Sequence, residues 1–182
     1  MTSATTTSFY EITDKDMDGN VIPMSKYEGN VVLIVNVASY WGYTKDYADL
    51  SKLYDKHNGG GSKEGSLGLR ILAFPCNQFA NEEPGTHTDI ISFVAQQNFG
   101  KDIASKIDFF EKGNVNGPNQ RDLYTFLKQQ HTTGGNDISW NFEKFLIDSN
   151  GNLYKRYPPN ISPSIGSIID NDITKLLHNR KK

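Results

Sequence analysis

Of the eight residues Val31-Val-Leu-Ile-Val-Asn-Val-Ala38, only Asn36 carries a polar side chain. A strand with water on one face alternates apolar and polar residues; this run does not, so it reads as a strand covered on both faces, at the centre of its sheet. A small polar turn follows, then a helix-like stretch from Thr44 to about His57, where Tyr47, Leu50 and Tyr54 fall near helical spacing and Thr44 can cap the start. A second apolar strand spans Leu69 to Phe74. The order strand, helix, strand implies a right-handed crossover and parallel pairing, which places the chain in the α/β class.

The remaining elements fit around that unit. Phe9 to Ile12 alternates weakly and Val21 to Pro23 follows a turn at Asp18-Gly19-Asn20, which predicts an N-terminal β-hairpin. Gly59 to Gly68 holds five glycines and reads as a flexible loop. Thr88 to Gln97 and Gln120 to Gln130 have amphipathic patterns, and Lys144 to Ile147 and Leu153 to Tyr157 flank a turn at Asp148-Ser-Asn-Gly151. A closing helix begins at about Ile165. At 182 residues the chain suits one domain, taken as 9–182 behind a flexible segment 1–8.

Composition narrows the function. The formal net charge of -2 gives no broad attraction for nucleic acid or an anionic membrane. Cys76 is the only cysteine, so no intramolecular disulfide can form, and a reducing cytoplasm is the expected compartment. Met1 to Ser8 contains neither an apolar run nor arginine, and no stretch approaches the length of a membrane span. Asn160-Ile-Ser162 matches a glycosylation sequon that a cytoplasmic protein would not use.

Three segments carry the chemistry: Asn36-Val-Ala-Ser-Tyr-Trp-Gly-Tyr-Thr44, Phe74-Pro-Cys-Asn-Gln-Phe79 and Trp140-Asn-Phe-Glu-Lys-Phe145. Gln78, Trp140 and Asn141 supply two amide N–H₂ groups and an indole N–H, neutral donors suited to an anionic sulfur or selenium. Taken singly, each reads as a packed aromatic, a turn residue or a solvent-facing amide. In this order, from roughly Phe9 to Leu177, the motifs resemble the glutathione peroxidase family. The resemblance implies a thioredoxin-like fold, a central mixed sheet flanked by helices, with the matching glutamine, tryptophan and asparagine around the nucleophile.

That nucleophile is selenocysteine or cysteine in the family; here the position holds Trp41. The implied reaction is attack of a thiolate or selenolate on a hydroperoxide O–O bond, then return of the oxidised residue by two thiols, with no prosthetic cofactor and no metal. Indole has no comparable redox cycle and its bulk crowds a small pocket, so the chain as written is expected to have almost no turnover. The resolving cysteine that thioredoxin-dependent members carry is absent from Asp89 to Gln97. Selenocysteine members commonly lack it and use glutathione, so the expectation is a native selenocysteine at position 41, its UGA codon read or rebuilt as tryptophan. The alternative is an inactivated homologue that acts in binding or regulation. The short connection from Ile107 to Trp140 resembles the monomeric, phospholipid-hydroperoxide type.

Other groups point elsewhere. Cys76 follows Pro75 at the end of an apolar strand and reads as a buried thiol, as the resemblance also implies. Asp14-Lys-Asp-Met-Asp-Gly19 imitates a calcium loop, but Ser25 stands where that loop needs a bidentate carboxylate, so an acidic hairpin turn is expected. His57, His87, His131 and His178 lack metal-ligand spacing and read as surface residues, and Arg180-Lys-Lys182 reads as a solvated tail.

Overall fold

The computed structural model describes residues 7–40, 45–59, 67–97, 103–130 and 135–180. Trp41, Thr44, His131 and most of the glycine-rich loop lie outside the described residues. A small hairpin pairs β1 (Thr13–Lys15) with β2 (Val21–Pro23). The main sheet is built from β3 (Val31–Val37), β4 (Leu69–Pro75), β5 (Ile107–Phe109), β6 (Lys144–Ile147) and β7 (Leu153–Tyr157). Its order is β5-β4-β3-β6-β7, which puts the apolar run at the centre. β3 and β4 pair in parallel, as do β4 and β5, whereas β6 runs antiparallel to both β3 and β7. This is the mixed sheet of a thioredoxin-like fold.

Every residue of β3 is buried because the strand feeds two cores. Val31, Leu33, Val35 and Val37 face Tyr47, Leu50 and Leu53 of α1 (Lys45–Asn58) together with Val94 of α2 (His87–Gln96) and Ile169 and Ile173 of α5 (Ile168–His178). Val32 and Ile34 enter the other core, with Leu123, Tyr124 and Leu127 of α4 (Asp122–Gln130) and with Phe9, Met24 and Tyr27 from the N-terminal segment. Burying each such aliphatic side chain contributes about 1.5–3 kcal/mol, so the run stabilises both layers at once.

Several expectations shift. The hairpin strand begins at Thr13, because Phe9–Glu11 forms a 3-10 turn capped by the Ser8 hydroxyl; Ser8 therefore belongs to the folded unit. The acidic turn closes on itself: the Asp16 carboxylate accepts from the N–H groups of Asp18 and Asn20 and from the Asn20 amide. α5 starts at Ile168, where Ser167 caps it, rather than near Ile165. The short α3 (Ile103–Lys106) and the edge strand β5 have no sequence counterpart in the reading above, since a few residues give no period to detect.

Two histidines are also not the surface residues that spacing suggested. The side chain of His57 is only 6% exposed and bonds Asp170 at 2.7 Å, a carboxylate that also accepts from Lys56 and from the Gly166 N–H. Burial depresses the His57 pKa despite the carboxylate beside it. His87 bonds the Met17 carbonyl through Nδ1 and accepts the Lys112 N–H at Nε2. Both fasten chain segments together, and among the described residues neither belongs to a group that could hold a metal.

One buried ion pair ties the third motif to α1. Lys144 Nζ donates to Asp46 Oδ2 at 2.7 Å, with side chains 0% and 1% exposed, and also to the carbonyls of Pro159 and Ile161. Burial raises the Asp46 pKa and lowers that of Lys144, each opposed by the partner's charge. Removing one partner strands the other. Lys144→Met should therefore lower the unfolding free energy in urea by about 3–5 kcal/mol, whereas Asp46→Leu combined with Lys144→Met should recover most of that loss. A double variant no more stable than the single one would contradict this account.

Candidate active site

Because β3 and β4 are parallel and β6 is antiparallel to them, the carboxyl ends of β3 and β4 and the start of β6 meet at one end of the sheet. All three motifs reach that end. β3 leads through Ser39 and Tyr40 towards position 41, β4 leads through Cys76 to Gln78, and Trp140 and Asn141 precede β6. In open α/β sheets this is where ligands bind.

The two turns from β4 and into β6 have unusual backbones. Ala80, Asn81 and Phe142 have φ of 53°, 56° and 62°, and no other non-glycine residue among those described is left-handed. Such conformations cost of order 1–3 kcal/mol and persist only where the surroundings impose them. Here they do. The Phe142 N–H donates to the Asn36 carbonyl at 2.7 Å, and its ring meets Tyr47 edge-on at 5.5 Å. Beyond Ala80-Asn81, the Glu83 N–H donates to Asn77 Oδ1 at 2.9 Å.

Gln78 is exposed, yet its amide is fixed. Oε1 accepts from the N–H groups of Val115 and Asn116 at 2.8 and 3.0 Å, and Nε2 donates to the Asn116 carbonyl at 2.9 Å. Asn116 in turn grips Ile138 through both its amide atoms, so the Gln78 turn and the segment before Trp140 share one support. Lys128 on α4 completes it, donating to Val115 O, Asn116 Oδ1 and Gln120 Oε1. Trp140 is half-buried with its ring 5.9 Å from Phe79, and no described residue accepts its indole N–H. Asn141 is 2% exposed and donates from Nδ2 to Glu82 Oε2 at 2.6 Å. Each amide N–H₂ has two hydrogens, so Gln78 and Asn141 both retain one.

The profile of the glutathione peroxidase family matches residues 9–128. A probable glutathione peroxidase 8 from Arabidopsis thaliana is 43% identical over 173 residues, covering 94% of this chain and 95% of that protein. A probable phospholipid hydroperoxide glutathione peroxidase from Citrus sinensis is 42% identical over 179 residues, covering 97% and 98%. The chain belongs to the glutathione peroxidase family. Among solved structures, GPX1 from T. cruzi is similar over 97% of this chain and 100% of its own, with a TM-score of 0.70 and 31% identity.

Within this glutathione peroxidase scaffold the lone thiol is poorly placed for chemistry. Cys76 is 0% exposed, its thiol donates to Gln78 Oε1 at 3.4 Å, and burial pushes its pKa up, which opposes the thiolate that peroxide attack requires. Trp41 itself lies outside the described residues.

Two acids that motif reading passed over stand in the site. Glu82 holds Asn141, and its main-chain carbonyl accepts the Tyr40 N–H at 3.0 Å. Glu83 is 0% exposed, and neither carboxyl oxygen meets a donor at ordinary bonding geometry. Burial raises its pKa to about 7; the Ser39 hydroxyl and N–H and the Lys112 ammonium offset that only in part. Their sequence signal was weak: two glutamates following a motif look like a solvated turn.

Glu83 gives a pH test with a defined sign. A carboxyl whose pKa rises from 4.5 to about 7 on folding stabilises the fold most below pH 4.5, and that contribution is lost as the pH climbs through 7. Glu83→Gln removes the loss. The variant should match the parent near pH 4.5 and exceed it by ~3 kcal/mol above pH 8 in denaturant titrations. A constant difference across that window would exclude ionisation of Glu83 as the cause.

Proposed function

We propose that the active form of this protein reduces hydrogen peroxide and organic or lipid hydroperoxides at the expense of thiols, through a selenocysteine or cysteine at position 41. The observation that carries the reading is the convergence of Gln78, Trp140 and Asn141 on the sheet end where β3 runs out towards that position, on turns whose strained backbones are held by dedicated bonds. Dipolar donors fixed before reaction stabilise a developing anion without reorganising, which is where most catalytic benefit of this kind arises.

The chemistry balances without a prosthetic group. The anionic sulfur or selenium at position 41 takes the distal oxygen of ROOH with its hydrogen, the O–O bond breaks, and the alkoxide leaves as ROH with the proton that the thiol or selenol gave up on ionising. One thiol then displaces water from the oxidised residue to form a mixed disulfide or selenenyl sulfide, and a second thiol attacks the bound thiol's sulfur, releasing their disulfide and restoring the nucleophile. Glutathione suits the reductant role, because Asp89 to Gln97 supplies no resolving cysteine. The Citrus relative's name supports a lipid hydroperoxide as substrate.

The finer reading is a native selenocysteine at position 41, a monomer, and a cytoplasmic location. The segment from β5 to β6 is folded back on the site through Asn116 and Lys128, which supports a monomeric arrangement. A lone buried thiol suits a reducing compartment. A second reading, an inactivated homologue kept as a binding or regulatory scaffold, draws support from Glu82, whose carboxylate takes one of the two Asn141 amide hydrogens.

Peroxide and phospholipid-hydroperoxide consumption, with glutathione or thioredoxin as reductant, separates the two readings. The Trp41 chain should stay near background and Trp41→Cys should gain turnover well above it. A folded Trp41→Cys protein without activity would overturn the retained-site reading, and equal activity in both forms would move the chemistry to Cys76. An ordinary UGG codon at position 41 with no selenocysteine-insertion element in the transcript would exclude selenocysteine.

A further inference from the structure

The sheet has a second end with a hollow in it. Because β3 and β4 run parallel and β6 opposes them, the starts of β3 and β4 and the finish of β6 lie away from the three donors. A cavity of about 510 Å³ opens there, framed by Glu28 and Gly29 before β3, Leu67 before β4, the Ser149-Asn150 turn after β6 and the end of α5. Sites for small organic ligands measure about 300–1,000 Å³, so the cavity has room for one.

Arg180 sets its character. Expected from the sequence to belong to a solvated tail, it is instead half-buried and turned back onto α5, where its Nε donates to the Leu177 carbonyl at 3.4 Å. That is the one hydrogen bond the guanidinium makes to the described residues, and Nη1 is shielded from solvent without an acceptor. A basic side chain that merely closes a helix needs the negative end of the helix dipole and water. Such a role accounts for Nε. It leaves a guanidinium desolvated on one side and without a counter-anion, the condition in which a charge-assisted bond to an incoming anion gains most.

The walls limit which anion fits. Leu67, 60% exposed, lies over Gly29: its Cδ atoms stand 3.2 and 3.3 Å from the place a Cβ on that glycine would take. Leu177 adds half-buried apolar surface continuous with the core. An aliphatic wall beside a guanidinium matches a molecule with an apolar body and an acidic head. Glu28 is exposed on the same cavity, and no ion pair joins it to Arg180. Its carboxylate repels a doubly charged head such as phosphate more than a singly charged one. The exposed His178 ring, beside Arg180, offers a further N–H.

We propose that this cavity is a second binding site, for a small monocarboxylate with an aliphatic chain, its carboxylate taken by Arg180 and its chain laid against Leu67 and Leu177. The seven residues of β3 set it about 23 Å from the end of the sheet that carries Gln78, Trp140 and Asn141. A ligand there takes no part in peroxide chemistry, and the inference does not depend on what stands at position 41.

The test titrates the full chain with octanoate, octanol and inorganic phosphate, by calorimetry and by proton–nitrogen amide spectra. Octanoate should bind one to one, about tenfold more tightly than octanol or phosphate, and should move the amide signals of Gly29, Asn150 and Leu177. Arg180→Gln should weaken octanoate about tenfold and leave octanol unchanged. Leu67→Glu, which brings another carboxylate to the wall, should weaken octanoate as well, and an unchanged urea midpoint in either variant shows that binding and not folding was lost.

Octanoate that fails to bind, or binds Arg180→Gln as well as the parent, overturns the inference. Octanol equal to octanoate would leave only an apolar cleft, and phosphate equal to it would leave only a surface charge; each defeats the proposal. Octanoate shifts at the side-chain amides of Gln78 and Asn141, with Gly29 unmoved, would place the carboxylate in the candidate active site instead.

Discussion

The site depends on the amide of Asn36, the one polar side chain in the central strand. It is 0% exposed and fully used: Nδ2 donates to the Trp140 carbonyl at 3.0 Å and Oδ1 accepts the Glu143 N–H at 3.1 Å. The main-chain carbonyl of the same residue takes the Phe142 N–H. Three bonds from one residue therefore brace the turn 140–143, including its left-handed residue. Each contributes about 1 kcal/mol net, but stranding a buried partner costs about 1–3 kcal/mol. An apolar residue at position 36 would pack equally well with Val32 and Ile34 and would release the turn that presents Trp140 and Asn141.

The same logic recurs one layer out. The Gln78 amide is oriented by the backbone of Val115 and Asn116, that backbone by the Lys128 ammonium, and Lys128 by its burial on α4. Arg156 and Glu143 do the equivalent on the β7 side: Arg156 pairs with Glu143 and donates to the carbonyls of Asn136 and Asp137, while Glu143 accepts from Ser139. Such buried polar networks hold geometry firmly only when every member is satisfied, and these are. The donors sit on turns, but the turns are anchored to strands and to a helix.

What the sequence disclosed follows from what periodicity and motif can carry. β3, β4, β6 and β7 were legible because continuous apolar runs and a turn at Asp148 to Gly151 leave little alternative, and α2 and α4 because their apolar faces repeat. The first hairpin strand was misplaced because Phe9 and Ile12 are buried from a 3-10 turn, which mimics weak alternation. His57 was misread because its partner, Asp170, lies on α5, and no local spacing reveals a contact between the end of α1 and the start of α5. In the site, Gln78, Trp140 and Asn141 were visible as donor types. Their supports, Asn36, Asn116, Lys128 and the two glutamates, were not, since each acts through a contact distant in sequence.

That division bears on how the scaffold tolerates Trp41. The interactions that hold the site together, Asn36 on the 140–143 turn, Lys144 on Asp46 and Lys128 on the 115–120 loop, are made between described residues and none uses a side chain at position 41. Among the described residues, Ser39 Oγ, both oxygens of Glu83 and Asn141 Oδ1 have no partner at ordinary bonding geometry, and all lie on the segments that lead to the candidate active-site end of the sheet. Buried polar groups without partners are rare in stable regions and tend to mark places where function outranks stability. The supports of the sheet, its turns and its donors made among the described residues thus do not depend on the chemistry of the residue at position 41.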